Sequence, residues 1–422
     1  MRQWRRTLNT IFITQIMTLI GFSCVFPFFP LYIQTLGISG SSVVLWAGVI
    51  TFVGSATLAV ASPIWGSLAD RYGRKPMLVR AMGGAALVTA LLIIAPNIWV
   101  VLLLRFLQGI LTGTVAPARA LVAGITPRDQ LAYGMGLMEA SIFAGNAAGP
   151  LIGGVLSDHI GFHRTFGFGA ILLLASALIV FFRVEENFTP PSRDLTRARP
   201  GILAGLREMA GIPGLALLAL TLLGANFGNA VATPVLPLLV PELRGVPSIG
   251  GVPQVTSTIG ALLAVAGFCA TFAAARTRWF TDRFGYRRVL IGALIGAGIF
   301  SLPVALVGTV WELLILRCLA GVCLGISLPA VSALVSLSTP EERRGAIFGA
   351  MASAELGGFA LGPLLGGALA AQIGERAGAE VGLRAVFVLT AVILCAIAAL
   401  VALRVRIPEQ TVPPRRAVPT AD

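Results

Sequence analysis

From Thr7 to Ala69 the chain carries no charged residue. No soluble domain leaves so long a stretch without a solvated charge, whereas a lipid bilayer requires it. A helix crossing the hydrocarbon core needs about 20 mostly apolar residues. The turn Gly37-Ile-Ser-Gly-Ser-Ser42 divides the stretch into two such helices, and ten further runs qualify. The twelve predicted spans are 8–36, 43–65, 76–95, 98–123, 131–157, 164–183, 212–240, 256–277, 288–307, 310–336, 344–372 and 383–404. The basic start Met1-Arg-Gln-Trp-Arg-Arg6 resembles a signal peptide. The apolar run behind it exceeds the roughly 7–15 residues of a signal h-region, so it reads as an uncleaved first helix. The fold class is an all-α polytopic membrane protein.

Only 12% of the residues are charged, about half the soluble norm of roughly 25%. Of the 31 basic residues all but Lys75 are arginine, and the net charge is +13. In a soluble chain that excess would point to nucleic acid. Here the positives sit between apolar runs and set topology instead. With the N-terminus inside, only Arg164, Arg244, Arg376 and Arg384 face outward, Arg105 and Arg317 lie within helices, and 25 basic residues face the cytoplasm. The expected partners are the bilayer, protons and a small-molecule substrate, with no nucleic acid, in a monomer whose termini are both cytoplasmic. Cys24, Cys269, Cys318, Cys323 and Cys395 all fall in apolar runs and read as packing residues.

The chain is also an internal duplication. Gly145-Asn-Ala-Ala-Gly149-Pro150-Leu-Ile-Gly153-Gly154 returns 213 residues later as Gly358-Phe-Ala-Leu-Gly362-Pro363-Leu-Leu-Gly366-Gly367. Glycines four apart share one helix face and let a neighbour approach closely, and Pro150 and Pro363 invite a bend. Pro27/Pro30 match Pro234/Pro237, Asp70 matches Asp282, and Arg105 matches Arg317. The expected units are residues 1–183 and 212–404, six helices each, joined by a cytoplasmic linker at 184–211 and followed by a tail at 405–422. Repeats of even helix number share one orientation and place a binding site at their interface.

Residues 66–76 read Gly66-Ser-Leu-Ala-Asp70-Arg71-Tyr-Gly73-Arg74-Lys75-Pro, in the predicted loop after the second helix. Its counterpart keeps Asp282, Arg283, Gly285 and Arg287 but has Arg278 and Tyr286 where the first has Gly66 and Arg74. Together with Leu104-Arg105-Phe-Leu-Gln108-Gly109, Gly145–Gly154 and Gly21-Phe-Ser-Cys-Val-Phe-Pro27-Phe-Phe-Pro30, this loop resembles the motifs of the major facilitator superfamily, in its twelve-helix drug:proton antiporter branch of bacterial multidrug and tetracycline-efflux type.

The resemblance implies roles. Asp70 would cap the eleventh helix near Arg344–Ala346, and Arg74 would pair with a loop acid such as Asp129. These contacts would latch the cytoplasmic side in the outward-open state, the second latch at Asp282 and Arg283 being weaker. The glycine and proline residues Gly145, Gly149, Pro150, Gly153, Gly358, Gly362, Pro363 and Gly366 would seal the external side where the six-helix units meet. Arg105 and Arg317 are membrane-embedded charges that cost roughly 2.5–3.5 kcal/mol at a helix centre; Arg105 either tunes a proton site or bonds Gln15, Ser23 or backbone. Glu139 and Glu355, each upstream of its Gly-Pro motif, are proton-carrier candidates, the alternative being a salt bridge near the cytoplasmic ends. Gln15, Phe22, Phe26, Asn226, Phe227, Asn229 and Arg317 are candidates for the substrate cavity. Asp158, His159 and His163 read as a solvated loop rather than a metal site. No catalytic constellation or nucleotide-binding loop occurs, so the expected energy source is a proton gradient, with no cofactor. The expected function is proton-coupled export of hydrophobic or cationic drugs across the cell membrane. The alternatives are export of a specific metabolite and a non-transporting membrane sensor.

Overall fold

The computed structural model describes residues 2–186, 214–339 and 344–404. The predicted linker from residue 187 on and the tail at 405–422 lie outside the described residues, as do the side chains of Asp70 and Arg344–Ala346. Among the described residues, twelve helical stretches are long and apolar enough to cross a membrane: Trp4–Thr35, Ser42–Ala69, Arg74–Ile94, Ile98–Ile125, Tyr133–Ile160, Phe162–Arg183, Leu215–Glu242, Val255–Phe284, Tyr286–Leu306, Val310–Ser336, Ala350–Ala377 and Ala379–Arg404. They are called spans one to twelve.

Three spans predicted as continuous helices are broken. In span one the helix Arg2–Ser23 gives way to a 3-10 turn at Phe26–Phe28 and restarts at Phe29–Thr35. Pro27 and Pro30 have no N–H to continue the ladder. Span seven breaks in the same way, between Leu215–Val231 and Leu236–Leu239, at Pro234 and Pro237. Span four breaks between Leu111 and Val115, where Gly113 takes φ 104°. Pro150 and Pro363, by contrast, stay inside continuous helices, Leu131–Ile160 and Arg344–Ala377. The expected bend there does not interrupt either span.

Residues 66–76 are not a loop. The helix of span two runs from Ser42 to Tyr72, and span three starts at Arg74. A single residue, Gly73, makes the turn at φ 99° and ψ 161°, backbone that only glycine adopts without strain. Gly285, at φ 80° and ψ 149°, repeats the turn between spans eight and nine. Asp70 therefore lies in the last turn of a helix rather than at the start of one.

The duplication is visible in the packing. Span one lies against span five as span seven lies against span eleven. Span two meets span four as span eight meets span ten, and span three meets span six as span nine meets span twelve. The first six spans touch the last six chiefly through span two on span eleven and span five on span eight.

Candidate functional site

The Gly-Pro motif has two working faces. Gly145, Gly149 and Gly153 lie against Leu19, Ser23 and Cys24 of span one, where a side chain would strike backbone or Cβ atoms. Gly358, Gly362 and Gly366 lie in the same way against Leu223, Phe227 and Val231 of span seven. These six glycines therefore join helices within each set of six spans. This corrects the expectation that they form the seal between the sets. The residues at the seal are their neighbours in the motif. Gly154 faces the carbonyl of Thr256, and the Pro150 carbonyl faces Gly260. The Pro363 carbonyl faces Gly48, and Gly367 faces the carbonyl of Val44. A step of one residue turns a helix by about 100°, so Gly153 and Gly154 serve different partners.

At this end of the molecule Asp158 completes the contact. Its carboxylate accepts from the backbone N–H of Thr256 at 3.1 Å and of Ser257 at 2.7 Å, and from the Thr256 hydroxyl at 2.6 Å. An acid on span five thus caps the N-terminus of span eight, where free N–H groups and the helix dipole favour negative charge. At the equivalent place on span eleven stands Ala371, so the duplication does not repeat the clasp. His159 Nδ1 lies 2.8 Å from the Val155 carbonyl, and His163 sits edge-on to Tyr32.

The opposite end carries Gly73 and Gly285. None of the described latch side chains there crosses between the two sets. Arg74 does not meet Asp129: its Nη1 donates to the Ala120 carbonyl at 2.8 Å, and Asp129 accepts from Gln130. The acid serving this turn is Glu186, which accepts from the backbone N–H of Arg74 at 2.9 Å and of Lys75 at 2.7 Å. Arg71 lies over Tyr72 and Lys75 over Phe181, while Asp282 makes an exposed i,i+4 pair with Arg278 and Arg283 lies over Trp279 and Phe284. Gly66 faces open space.

Between the two ends lie the embedded charges. Arg105 is 6% exposed and packs against Gly54 of span two. Its Nη1 donates to Gln108 at 2.8 Å, and its guanidinium lies 4.2 Å from the Phe26 ring centroid and 5.2 Å from that of Phe29. Its Nε has no partner, and among the described residues no carboxylate pairs with it. Neither Gln15 nor Ser23 contacts it: Gln15 donates to Thr114 with Oε1 left unpartnered, and Ser23 bonds Leu19 and Gly145. Phe22 and Phe26 stack at 5.8 Å beside it. Arg317 is half-buried and has no acid partner among the described residues. Of the span-seven candidates, Phe227 is buried in the core with Phe28, Asn226 donates to the Leu222 carbonyl, and Asn229 is exposed.

Glu139 and Glu355 lie one in each set of spans, and of the two it is Glu139 that has an ion-pair partner, Arg119. Arg119 Nη2, on span four, lies 2.7 Å from Glu139 Oε1 on span five. Glu355 lies on span eleven, in the other set of spans, and among the described residues it forms no ion pair. Arg119 and Glu355 are exposed and Glu139 is half-buried, all inside apolar spans. Glu139 is eight residues from the start of its helix at Leu131, about 12 Å along the axis. Glu355 borders a pocket between spans seven, ten and eleven, lined by Leu222, Leu328, Ser332, Val335 and Met351.

Sequence reasoning missed Arg119, Asp158 and Glu186. The signal for Arg119 was present: it is charged and lies within span four, so basic residues inside spans are not confined to Arg105 and Arg317. Arg80, stacked at 3.4 Å over Trp65 in span three, is another. Asp158 and Glu186 carry no sequence signal of their role, because each caps a helix far away along the chain.

Comparison with known proteins fits this architecture. Multidrug resistance protein MdtG of Salmonella arizonae is 36% identical over 347 residues, covering 82% of this chain and 84% of that protein. MdtG of Salmonella paratyphi B matches to the same extent. Among solved structures, a bacterial homologue of the human lysosomal transporter Spinster, in an inward-facing and occupied conformation, superposes with TM-score 0.77 at 16% identity, covering 96% of this chain and 97% of that one. The nucleoside transporter NupG superposes with TM-score 0.76 at 13% identity, covering 95% of this chain and all of the other. These two likenesses are of fold alone. The Major Facilitator Superfamily profile matches residues 11–278 and again 256–421, and with the duplicated twelve-span packing and the MdtG relationship this shows that the chain is a multi-pass membrane protein belonging to the Major Facilitator Superfamily.

Proposed function

We propose that this chain is a secondary exporter of hydrophobic and cationic drugs, driven by protons entering the cell and working by alternating access. It resides in the cell (inner) membrane with both termini cytoplasmic. The Gly73 end is then the cytoplasmic end and the Asp158 end the external one. The closed seal at Gly154, Gly260, Gly48 and Gly367, at the Asp158 end, corresponds to access from the cytoplasm. The relationship to proteins named for multidrug resistance supports the drug class.

One observation carries the coupling: two carboxylates, Glu139 and Glu355, lie inside apolar spans, one in each set of six, and Glu139 is paired with Arg119 at 2.7 Å. A carboxyl group so placed can take up a proton on one side and release it on the other as access alternates. The substrate is extruded as the proton enters, with no chemical step and no cofactor. In proteoliposomes a pH gradient should drive ethidium transport, and collapsing the gradient should stop it. Glu139→Gln and Glu355→Gln, tested separately, identify the carrier by loss of pH-driven transport with counterflow retained. Full gradient-driven transport in both variants removes the two candidates.

A further inference from the structure

The two copies of the fold differ in one turn. Pro234 lies 207 positions after Pro27, whereas Asp282 lies 212 after Asp70, so the second copy has gained five residues between these points. The longer chain lies between spans seven and eight and forms the antiparallel pair Ser248–Ile249 and Val252–Pro253. Gly250 and Gly251 take φ 59° and 82°, and positive φ at both central residues suits a two-residue hairpin turn. The Gln254 N–H closes the base by donating to the Pro247 carbonyl at 2.8 Å. Arg244 ties the root to the start of span ten: its N–H donates to Gly308 and its carbonyl accepts from Val310, both at 3.0 Å. Ile249 and Val252 stand directly opposite each other and so share one face. They are 63% and 59% exposed. A lone two-stranded hairpin is marginal in water, and one that presents two branched apolar side chains needs a surface to cover them.

The depth of the hairpin identifies that surface. From Gly245 to Ala275 no residue is charged. About twenty helical residues rise 30 Å, the thickness of the hydrocarbon core. With Arg276 at one boundary of that core, Thr256 stands at the other, and the hairpin lies just beyond it at headgroup depth. Trp311, exposed beside Gly245, marks the same level, because tryptophan collects at membrane interfaces. We propose that the hairpin is a lipid-binding tip. Ile249 and Val252 enter the boundary between headgroups and acyl chains and hold the start of span eight, where Asp158 makes its cap, at the membrane surface. The orientation proposed above makes this the outer leaflet; the insertion itself requires no transport.

The test uses the full chain in lipid nanodiscs, with the native cysteines replaced and one cysteine, at Ile249→Cys, Val252→Cys or Ser248→Cys, carrying the fluorophore NBD. Ser248 is the control, because successive strand residues point to opposite faces. Shallow doxyl-labelled phosphatidylcholine should quench the labels at 249 and 252 at least about twofold more than the label at 248, and aqueous iodide should do the reverse. With the label at Val252→Cys, Ile249→Asp should cut doxyl quenching at least about twofold, because a charge at the tip opposes insertion. Iodide quenching of all three labels, with none by doxyl lipid, would put the hairpin in water and overturn the proposal. Protection from both quenchers would mean that protein covers this face, a second copy or another chain, and would overturn it as well. Doxyl quenching undiminished by Ile249→Asp would show that the apolar pair does not carry the insertion, which also overturns it. These measurements need no proton gradient, so they stand or fall apart from the exporter reading.

Discussion

The Asp158 carboxylate, at the end of span five, accepts a hydrogen bond from the backbone N–H of Ser257 at 2.7 Å, at the start of span eight. It is a helix cap made by a residue 99 positions away and from the other set of spans. Removing a cap costs about 0.5–2 kcal/mol, and here that energy belongs to one conformation only, because opening this end separates Asp158 from span eight. Asp158→Ala should therefore shift the closed-to-open ratio at this end by about 2- to 30-fold toward open. Electron–electron distance measurements between labels at Ile160→Cys and Ile249→Cys, in a background without the native cysteines, read the ratio. An unchanged distance distribution would show that Asp158 is not part of the closure.

The two faces of the Gly-Pro motif predict opposite phenotypes from adjacent substitutions. Gly154→Leu and Gly260→Leu place bulk between spans five and eight, where each glycine faces a carbonyl of the other span. They should hold the Asp158 end open in the same distance measurement. Gly149→Leu and Gly362→Leu place bulk within one set of spans, against Ser23 and Phe227 respectively. They should lower stability by about 1–3 kcal/mol, the usual cost of overpacking, and leave the distance across the seal as in wild type. The same lengthening in all four variants would show that the faces are not separable.

Much of this architecture was legible in the chain. Apolar run length gave the twelve spans, and the repeat at Gly145–Gly154 and Gly358–Gly367 gave the duplication. What remained hidden depends on rotation about helix axes. Periodicity places Gly149 and Gly153 on one face but does not say which neighbour that face meets: of the residues expected at the seal, Pro150 and Pro363 lie there and the six glycines do not. The stretch 66–76 read as a loop because its charges mimic one, yet Gly73 alone can reverse the chain. Glu139 and Glu355 were selected as rare embedded acids. Arg119, the ion-pair partner of Glu139, reads as one of the cytoplasmic positives because it lies near the end of its span.

Glu186 makes a third prediction. It is the last residue described after span six, and it holds the first two amides of span three. Hydrogen bonds from amides to a carboxylate are stronger than neutral ones, and the turn at Gly73 leaves those amides no partner within their own helix. Glu186→Ala should speed hydrogen exchange at Arg74 and Lys75 by about 5- to 30-fold, corresponding to about 1–2 kcal/mol, with exchange in the middle of span three unchanged. Equal protection in both proteins would mean that the contact is not populated in solution.

Arg105 makes the last. It is buried against Gly54, Gln108, Phe26 and Phe29, with one guanidinium nitrogen unsatisfied and no carboxylate partner among the described residues. Such a charge is expensive to bury, and the stacking on two phenylalanines returns only about 2 kcal/mol when desolvated. Replacing a buried charge by an apolar side chain of similar length is often neutral or stabilising. A structural arginine and a working one therefore differ in what Arg105→Met does. The expected outcome is a variant at least as resistant to thermal unfolding as wild type, yet with gradient-driven ethidium transport reduced at least about tenfold. Arg105→Lys should lose part of the activity as well, because the ammonium lacks the planar fork that bonds Gln108 while stacking on Phe26. Wild-type transport by Arg105→Met would show that the charge itself does no work; a large drop in stability with a matching loss of folded protein would assign Arg105 to packing.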